Sequence, residues 1–334
     1  MNERRPHQSR SAARLLALYP IGVTVLALLL TIAPQRTGLL ALAQILLPHL
    51  FLSVLLFVPP AFLLPDRALV TAVVVAFIVG LMQFGSEWAS PSPAAGDDRE
   101  LSVLSWNLEV GARDGAQVVA ALRTTDADVV ALQELTPDTA DAIEADAQLT
   151  ARYPHRVLRP DPSVFGMGLL SAYPIPAHEV LADPVGIEAH LDLGAGSIIA
   201  VVNAHPLPGR ITMGPLGLPI GFDATGRDAA LERLRGRIER LMLADEPLVL
   251  LGDFNVAPTE PAYRLLSDGL RDAHVEAGQG PGWTWRPSRL EALRIGLLRI
   301  DYVFTSATVG TTRTSVDCSR PGDHCLVGAS LRLP

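Results

Sequence analysis

Polar side chains that could do chemistry follow an apolar strand in the C-terminal half of the chain. Residues 248–251 are four consecutive apolar residues, which predict a strand buried on both faces, and Gly252-Asp253-Phe254-Asn255 follows them. In an extended chain Asp253 and Asn255 point the same way, with Phe254 toward the core. A carboxyl group at the mouth of a buried strand is costly without a partner or a task. Taken alone, the octapeptide is equally compatible with a polar turn.

Other polar residues occupy the same kind of position, at or near the ends of predicted strands. They are Asn107, Glu109, Glu134, His205, Asp301, Asp323 and His324. Each one alone is more often a cap or turn residue. Together they offer carboxylate and amide oxygens, which suit Mg²⁺ or Mn²⁺ because hard cations prefer oxygen ligands. Zinc would recruit more histidine or cysteine.

The elements that must position these residues are short strands mixed with helices. Strands are predicted at residues 101–106, 128–132, 166–171, 198–203, 300–304 and 326–333. Helices are predicted at 117–123, from Thr136 onward and at 227–242. This mixture over about 235 residues predicts one α/β domain with sizeable sheets.

The N-terminal part of the chain is much more apolar. Residues 15–34, 39–63 and 68–84 are three apolar stretches, each long enough or nearly long enough to cross a bilayer. Between Leu15 and Ser86 the charged residues are Arg36, Asp66 and Arg67. We therefore expect an all-α anchor of three transmembrane helices at 1–88, a Pro/Ser/Ala linker at 89–98 and a catalytic domain at 99–334. A cleaved signal peptide or the buried helices of a soluble protein explain the pattern less well.

Charge predicts the orientation of this anchor. Arginines precede the first span, whereas the segment after the third span is acidic, so the N-terminus is expected inside. Three crossings then make the protein a multi-pass cell-membrane protein with an extracytoplasmic catalytic domain. In an oxidising compartment Cys318 and Cys325 would pair, although the sequence alone also allows two free thiols.

The composition of the C-terminal domain bears on its partners. After Pro93 acids outnumber arginines by roughly three to two, and the chain has no lysine. Nucleic-acid binding depends on clustered cations, so this balance disfavours nucleic acid as a partner without excluding it.

A series of short motifs in a fixed order resembles the endonuclease/exonuclease/phosphatase superfamily. The resemblance runs from about Leu101 to the C-terminus and rests on Ser105-Trp106-Asn107, Leu132-Gln133-Glu134, Gly168-Leu169-Leu170-Ser171, Asn203-Ala204-His205, Gly252-Asp253-Phe254-Asn255, Arg299-Ile300-Asp301-Tyr302 and Gly322-Asp323-His324. With its three apolar stretches, the chain is also similar to actinobacterial membrane proteins associated with teicoplanin resistance.

The resemblance implies a four-layer α/β sandwich, in which helices flank two packed mixed β-sheets. It also implies a metal site, with Glu134 as the principal Mg²⁺ (or Mn²⁺) ligand, Asn107 beside it, Glu109 assisting and Asp323 close by.

The same resemblance implies roles for the remaining residues. Asp253 would align or deprotonate the attacking water, and Asn255 would hold a phosphoryl oxygen. His205 and His324 would donate to the pentacovalent transition state, while Asp301 would orient His324. We expect nearby carboxylates to raise the pKa of Asp253, and Asp301 to keep His324 cationic.

Two positions depart from the family pattern. Ser171 is followed by Ala172-Tyr173-Pro174 where members often carry a basic residue, which would weaken a phosphate contact or shift substrate preference. Gly322 stands where serine is usual, a milder change because Asp323 and His324 remain.

The expected function is metal-dependent hydrolysis of a phosphate ester outside the cytoplasmic membrane, on a lipid-linked or cell-envelope substrate. The alternatives are an extracytoplasmic DNA or RNA endonuclease and a non-catalytic membrane protein with a degenerate domain. The apolar segment 211–220 would contact lipid or a partner, or else fold back on its own sheet or on the transmembrane helices. Trp283 and Trp285 would line the pocket or pack in the core.

Overall fold

The computed structural model describes residues 4–64, 66–88, 100–244 and 246–334. The predicted linker at 89–98 lies outside the described residues. The chain forms two compact units, one built from Met1–Ala89, Arg210–Ala224 and Thr259–Pro261, the other from Ser90–Gly209, Thr225–Pro258 and Ala262–Pro334.

The first unit contains the apolar helices. They are α1 (Arg4–Ile32), α2 (Gly38–Ile45), α3 (Leu47–Val54), a 3₁₀ turn (Leu55–Phe57), α4 (Val58–Leu63) and α5 (Arg67–Trp88). Arg10–Ile32 and Arg67–Gly85 are long and apolar enough to cross a membrane. The segment between them bends by 63° and gives a third candidate if the bent pair counts as one span.

Helices α1 and α5 run in the same direction. Near their beginnings Arg14 lies 4.0 Å from Asp66, which directly precedes α5. Near their ends the amide of Gln83 donates to the hydroxyl of Thr31 at 3.1 Å. Because the two helices are parallel, the chain between them must return from one end of the pair to the other.

A two-stranded hairpin also belongs to the first unit. Its strands are β8 (Arg210–Met213) and β9 (Pro219–Asp223), so the apolar segment 211–220 lies in an antiparallel ribbon. Asp223 forms a β-bridge with Thr37, and the backbone N–H of Ala224 donates to the carbonyl of Arg36 at 2.9 Å. The hairpin is thus joined by backbone pairing to the connection between α1 and α2.

The second unit is built on two six-stranded sheets. The first has the order β13-β14-β1-β2-β4-β3 and the second β11-β12-β10-β7-β6-β5. The strands are β1 (Glu100–Asn107), β2 (Val129–Gln133), β3 (His155–Arg159), β4 (Met167–Ser171), β5 (Ala177–Ala182), β6 (Val185–Asp192), β7 (Ile198–His205), β10 (Leu248–Asp253), β11 (Arg271–Asp272), β12 (Asp301–Thr305), β13 (Gly310–Asp317) and β14 (Leu326–Arg332). Each sheet has one parallel pair, β1 with β2 and β7 with β10, and its other pairs are antiparallel.

Three apolar layers hold the sheets and helices together. One lies between the sheets and includes Val129 and Val249, while a second joins the first sheet to the helices on its outer face. A third layer packs the second sheet against α9 through Leu231 and Leu234. The helices are α6 (Gly115–Leu122), α7 (Pro137–Ala145), α8 (Ala147–Arg152), α9 (Thr225–Leu243), α10 (Pro261–Ser267), α11 (Ala273–Ala277) and a 3₁₀ helix (Ser288–Leu293). The predicted four-layer α/β sandwich is confirmed.

Candidate active site

The two parallel strand pairs bring four of the predicted residues to their carboxyl ends. Asn107 ends β1, Glu134 follows β2, His205 ends β7 and Asp253 ends β10. Parallel neighbours end on the same edge of a sheet, so each sheet presents two polar residues at one edge. Asn107, His205 and Asp253 are buried, which requires polar partners for all three.

Two residues with positive φ, a glycine and an asparagine, shape the end of β10 and the turn that follows it. Gly252 has φ +144°, and a Cβ there would lie 2.1 Å from the carbonyl oxygen of Ala204 on β7, so only glycine fits. The strand ends at Asp253, and Asn255 has φ +53°, so the expected extended continuation is wrong. The side chains still meet, because the Asn255 N–H donates to Asp253 Oδ1 at 2.9 Å and its amide lies 3.3 Å from Oδ2. Phe254 is fully buried in the core, as predicted.

Asp253 lies between several of the other predicted site residues. Its Oδ2 accepts from the amide of Asn107 at 3.0 Å and lies 3.5 Å and 3.6 Å from Nε2 of His205 and His324. Burial alone would raise the pKa of Asp253, but the two histidines outweigh burial and hold the pKa below its usual value. The expectation of a raised pKa is therefore wrong, because the attraction of two nearby histidines outweighs burial.

His324 contacts Asp301, the residue that the family resemblance assigns to orient it. Its Nδ1 lies 3.0 Å from Asp301 Oδ2, and that carboxylate also accepts from the hydroxyl of Thr284. Burial lowers the pKa of His324, yet Asp301 and Asp253 raise it to about 10, so the imidazolium persists through neutral pH.

His205 is positioned through its other ring nitrogen. Nδ1 lies 3.2 Å from the carbonyl oxygen of Val164, which suits donation from Nδ1. Burial opposes its charge, but the carboxylates of Asp253 and Glu134 raise its pKa above the ordinary value. Two histidines with raised pKa values thus flank Asp253.

The predicted metal ligands form two hydrogen-bonded pairs. The Asn107 amide donates to Glu134 Oε1 at 3.1 Å, while the Val110 N–H donates to Glu134 Oε2 at 2.9 Å. Glu109 Oε2 accepts from the backbone N–H of Asp323 at 2.8 Å. Glu109 and Glu134 both have positive φ, the first at +52° and the second at +56°, a backbone cost typical of functional positions.

The donor set fits a divalent cation. Asp323 Oδ1 is buried and finds no hydrogen-bond donor in the described chain, and burial together with Glu109 raises the pKa of Asp323 to about 6. A bound cation would satisfy this oxygen and favour the ionised carboxylate. Asp253, Asp301 and His324 also bring ligand atoms within 4.8 Å of one another. The imidazolium of His324 offers no lone pair, however, so the oxygen set of Asn107, Glu109, Glu134 and Asp323 fits the ion better.

The loop that carries Asp323 and His324 is fixed from several sides. Cys318 and Cys325 form a disulfide across it, so they are paired rather than two free thiols. The guanidinium of the fully buried Arg286 donates to the carbonyls of Cys318, Arg320 and Gly322, the last at 2.8 Å.

Gly322 is explained by its neighbour Arg113. Gly322 has φ +112°, and a Cβ there would lie 1.5 Å from Nη2 of Arg113. The Arg113 guanidinium stacks over Trp106 at 5.0 Å and donates to the carbonyls of Leu108 and Pro321. The arginine therefore occupies the space that a serine at 322 would need.

Sequence reasoning missed three residues that position the site. Thr284 holds Asp301, while Arg286 and Arg113 hold the loop around His324, and no spacing or motif distinguishes them from ordinary polar residues. Trp285 lies at the site, where its indole N–H donates to Asp323 Oδ2 at 3.2 Å. Ser171 is buried and exchanges hydrogen bonds with the backbone of Tyr173.

Comparison with known proteins agrees with this architecture. A family model, "Endonuclease/Exonuclease/phosphatase family", matches residues 104–324. A 3′-5′ exonuclease (NExo) from Neisseria meningitidis is similar in structure, with TM-score 0.55 and 22% identity over 69% of this chain and 98% of that one.

Two further solved structures share the fold. They are D. rerio TDP2 complexed with a single-strand DNA product (TM-score 0.54, 17% identity, 70% of this chain and 100% of that one) and the human Nocturnin catalytic domain (TM-score 0.51, 18% identity, 71% and 96%). The comparison with curated protein sequences finds no significant match.

Proposed function

Since the chain belongs to the endonuclease/exonuclease/phosphatase family, we propose that it is a metal-dependent phosphoesterase acting outside the cytoplasmic membrane on a lipid-linked or other cell-envelope phosphate ester. The observation that carries this proposal is the environment of Asp253. Its Oδ2 is approached by His205, His324 and Asn107, and the Asn107 amide bonds Glu134 as well. A base, two histidines with raised pKa values and an oxygen-ligand set therefore lie in one cluster.

Each group has a part in the displacement at phosphorus. A divalent ion held by Glu134, Asn107, Glu109 and Asp323 would neutralise charge on the phosphoryl oxygens. Asp253 is held ionised, so it can orient a water molecule and accept its proton. His324 carries positive charge at neutral pH and can donate to the oxygens that gain charge in the transition state. Asp301 positions the ring of His324.

The packing of the first unit supports three crossings rather than two. The parallel helices α1 and α5 require the segment between them to cross back if both span the membrane. The pairing of the hairpin with Arg36 and Thr37 agrees, because that backbone contact requires the connection after α1 to lie on the same side as the chain after α5. Only an odd number of crossings meets this condition.

The substrate class can be tested with the full-length protein in detergent and in vesicles. We expect Mg²⁺-dependent or Mn²⁺-dependent release of phosphate or alcohol from a lipid phosphate or a generic bis-ester, with little cleavage of plasmid DNA. His324→Ala, purified in parallel, is the control for contaminating activity. Cleavage of DNA alone would contradict the proposed substrate, and inactivity on every ester would contradict the enzymatic assignment.

An extracytoplasmic nuclease is the second candidate. It is favoured by the neighbours NExo, described as a 3′-5′ exonuclease, and TDP2, described with a single-strand DNA product. The acidic balance of this domain counts against it. A degenerate, non-catalytic domain has less support, because the predicted site residues are present and hydrogen-bonded to one another.

The orientation needs its own test. Intact cells treated with an impermeant protease should lose the C-terminal domain, while a cytoplasmic marker protein survives. Full protection of the domain in intact cells, with cleavage only after permeabilisation, would contradict an extracytoplasmic location.

A further inference from the structure

We propose that the hairpin formed by β8 and β9 is a membrane-contact element that lies in the headgroup layer of the outer leaflet. Its substrate consequence, which rests on the proposed function, is that the esters hydrolysed are carried on lipids of that leaflet. Five side chains would face the lipid: Ile211, Met213, Leu216, Leu218 and Ile220.

The first observation is the surface of the hairpin itself. These five large apolar side chains are all exposed, and residues 211–222 include no charged residue. The charges stand at its base, where Arg210 pairs with Asp223 at 3.1 Å. Five exposed large apolar side chains on one short element indicate a contact surface, since such residues are usually scattered singly on soluble proteins.

The second observation identifies the bilayer as the occupant. The hairpin pairs through backbone groups with Arg36 and Thr37, in the connection that follows the candidate span Arg10–Ile32. The next candidate span begins at Gly38, so this connection is too short to leave the membrane surface. A hairpin fixed to such a connection lies at the interface, where exposed apolar side chains with few charges partition into the headgroup and acyl boundary.

The third observation concerns the chain that enters and leaves the hairpin. Four residues separate His205 from Arg210, so chain length alone keeps these two residues within about 18 Å. Asn255 then contacts the chain on both sides of the hairpin. The side-chain amide of Asn255 donates to the backbone carbonyl of Pro206 at 3.1 Å, and the backbone carbonyl of Asn255 accepts from the Arg227 guanidinium at 2.6 Å.

A lipid-facing hairpin favours a substrate that is itself carried in the membrane. An ester with a long hydrocarbon chain is held at the surface that the hairpin would contact, which raises its local concentration for this protein. A soluble ester gains nothing from a lipid-facing hairpin, so the two substrate types should respond differently when the hairpin changes.

The test places a fluorescent reporter on the hairpin of the full-length protein in phosphatidylcholine vesicles. Both native cysteines are in the disulfide, so Leu216→Cys provides a single free thiol for labelling with NBD. Leu243→Cys, on α9, is the matched control because Leu216 and Leu243 are both 86% exposed. We expect a blue-shifted emission and about twofold quenching by phosphatidylcholine spin-labelled near the headgroup at position 216, and neither at position 243. Equal quenching at the two positions, whether high or low, would overturn the proposal.

A second measurement separates this contact from the proposed chemistry. The variant Leu216→Ser/Leu218→Ser should lose about tenfold in activity on a lipid phosphate in vesicles but retain its activity on a soluble bis-ester. If the variant keeps the same fraction of the unmodified protein's activity on both substrates, the inference that the substrate is carried on a lipid is wrong. An unmodified protein inactive on every ester would instead overturn the proposed function, and the quenching result would still decide the membrane contact.

Discussion

Breaking the disulfide between Cys318 and Cys325 should weaken both the stability of the catalytic unit and its activity. The bond closes a loop with a sequence separation of 7. By limiting the entropy of the unfolded chain, a disulfide around a loop of this size contributes about 2.4 kcal/mol to the free energy of unfolding at 25 °C. For a unit of this size, the loss corresponds to a fall in Tm of about 5–10 °C.

Activity should fall for a different reason. The bridged loop carries Asp323 and His324, and Cys325 directly follows His324. The buried Arg286 still holds three carbonyls of the loop when the bond is broken, so the loop loosens rather than detaches. A displacement of His324 by about 1 Å would reduce turnover by about 100-fold at most, because donors at a transition state act only over hydrogen-bond distances.

The assay compares the oxidised protein with protein reduced in the presence of metal, in detergent. Thermal unfolding is followed by tryptophan fluorescence and turnover with a soluble bis-ester, and mass spectrometry verifies the thiols. Cys318→Ala/Cys325→Ala should match the reduced protein and should not respond to reductant. Unchanged Tm and turnover after reduction would show that Arg286 and its neighbours fix the loop without the bond, contrary to this prediction.

Four further outcomes follow from the site. Asp253→Asn should lower turnover by about 100-fold or more while the Tm stays within a few degrees, since it removes the base and keeps the shape; near-normal turnover would exclude Asp253 as the base. Arg286→Met removes the donors to the loop and should reduce turnover more than a reductant does, as initial rates would show. Gly252→Ala should cost about 2 kcal/mol or more, measured by denaturant unfolding, because a Cβ would lie 2.1 Å from a carbonyl oxygen of β7. In chelator-treated protein, the raised pKa of His324 adds stability that is complete below pH 6.5 and lost as pH rises to about 10. Asp301→Asn should move that loss of stability to lower pH, as denaturant unfolding midpoints measured across this pH range would show. The same pH dependence in the variant would mean that Asp301 does not stabilise the charged form of His324.

Much of the sheet framework could be predicted from local pattern. The apolar run at 248–251 lies in β10, and the helix predicted at 227–242 lies within α9. Strands β3, β5, β6, β11 and β13 of the two sheets were not predicted. In β5 and β13 most residues are exposed or half-buried, so neither strand has a continuous apolar run. Edge strands depend on a neighbour rather than on their own burial.

The site could be predicted as a set of residues but not as a geometry. The alternation of an extended strand predicted that the side chains of Asp253 and Asn255 point the same way. They do lie close together, but the reason is the positive φ of Asn255 in the turn after the strand. The pKa of Asp253 depends on two histidines that lie far away in sequence, and no local pattern encodes their distance. Arg113 and Arg286 donate to backbone carbonyls. Every residue has a backbone carbonyl, so the partners of these arginines cannot be identified from residue types in the sequence.

The hairpin has a consequence for how the protein can be divided. A fragment beginning at residue 99 would keep the sandwich and its site, yet it would lack Arg36 and Thr37, the backbone partners of Asp223 and Ala224. Its apolar ribbon would lose these partners, and association between such fragments would be the expected result. The N-terminal helical segment is therefore more than an attachment to the C-terminal domain. It completes the pairing of a ribbon that the C-terminal part of the chain contributes, so the two parts of the chain must fold together.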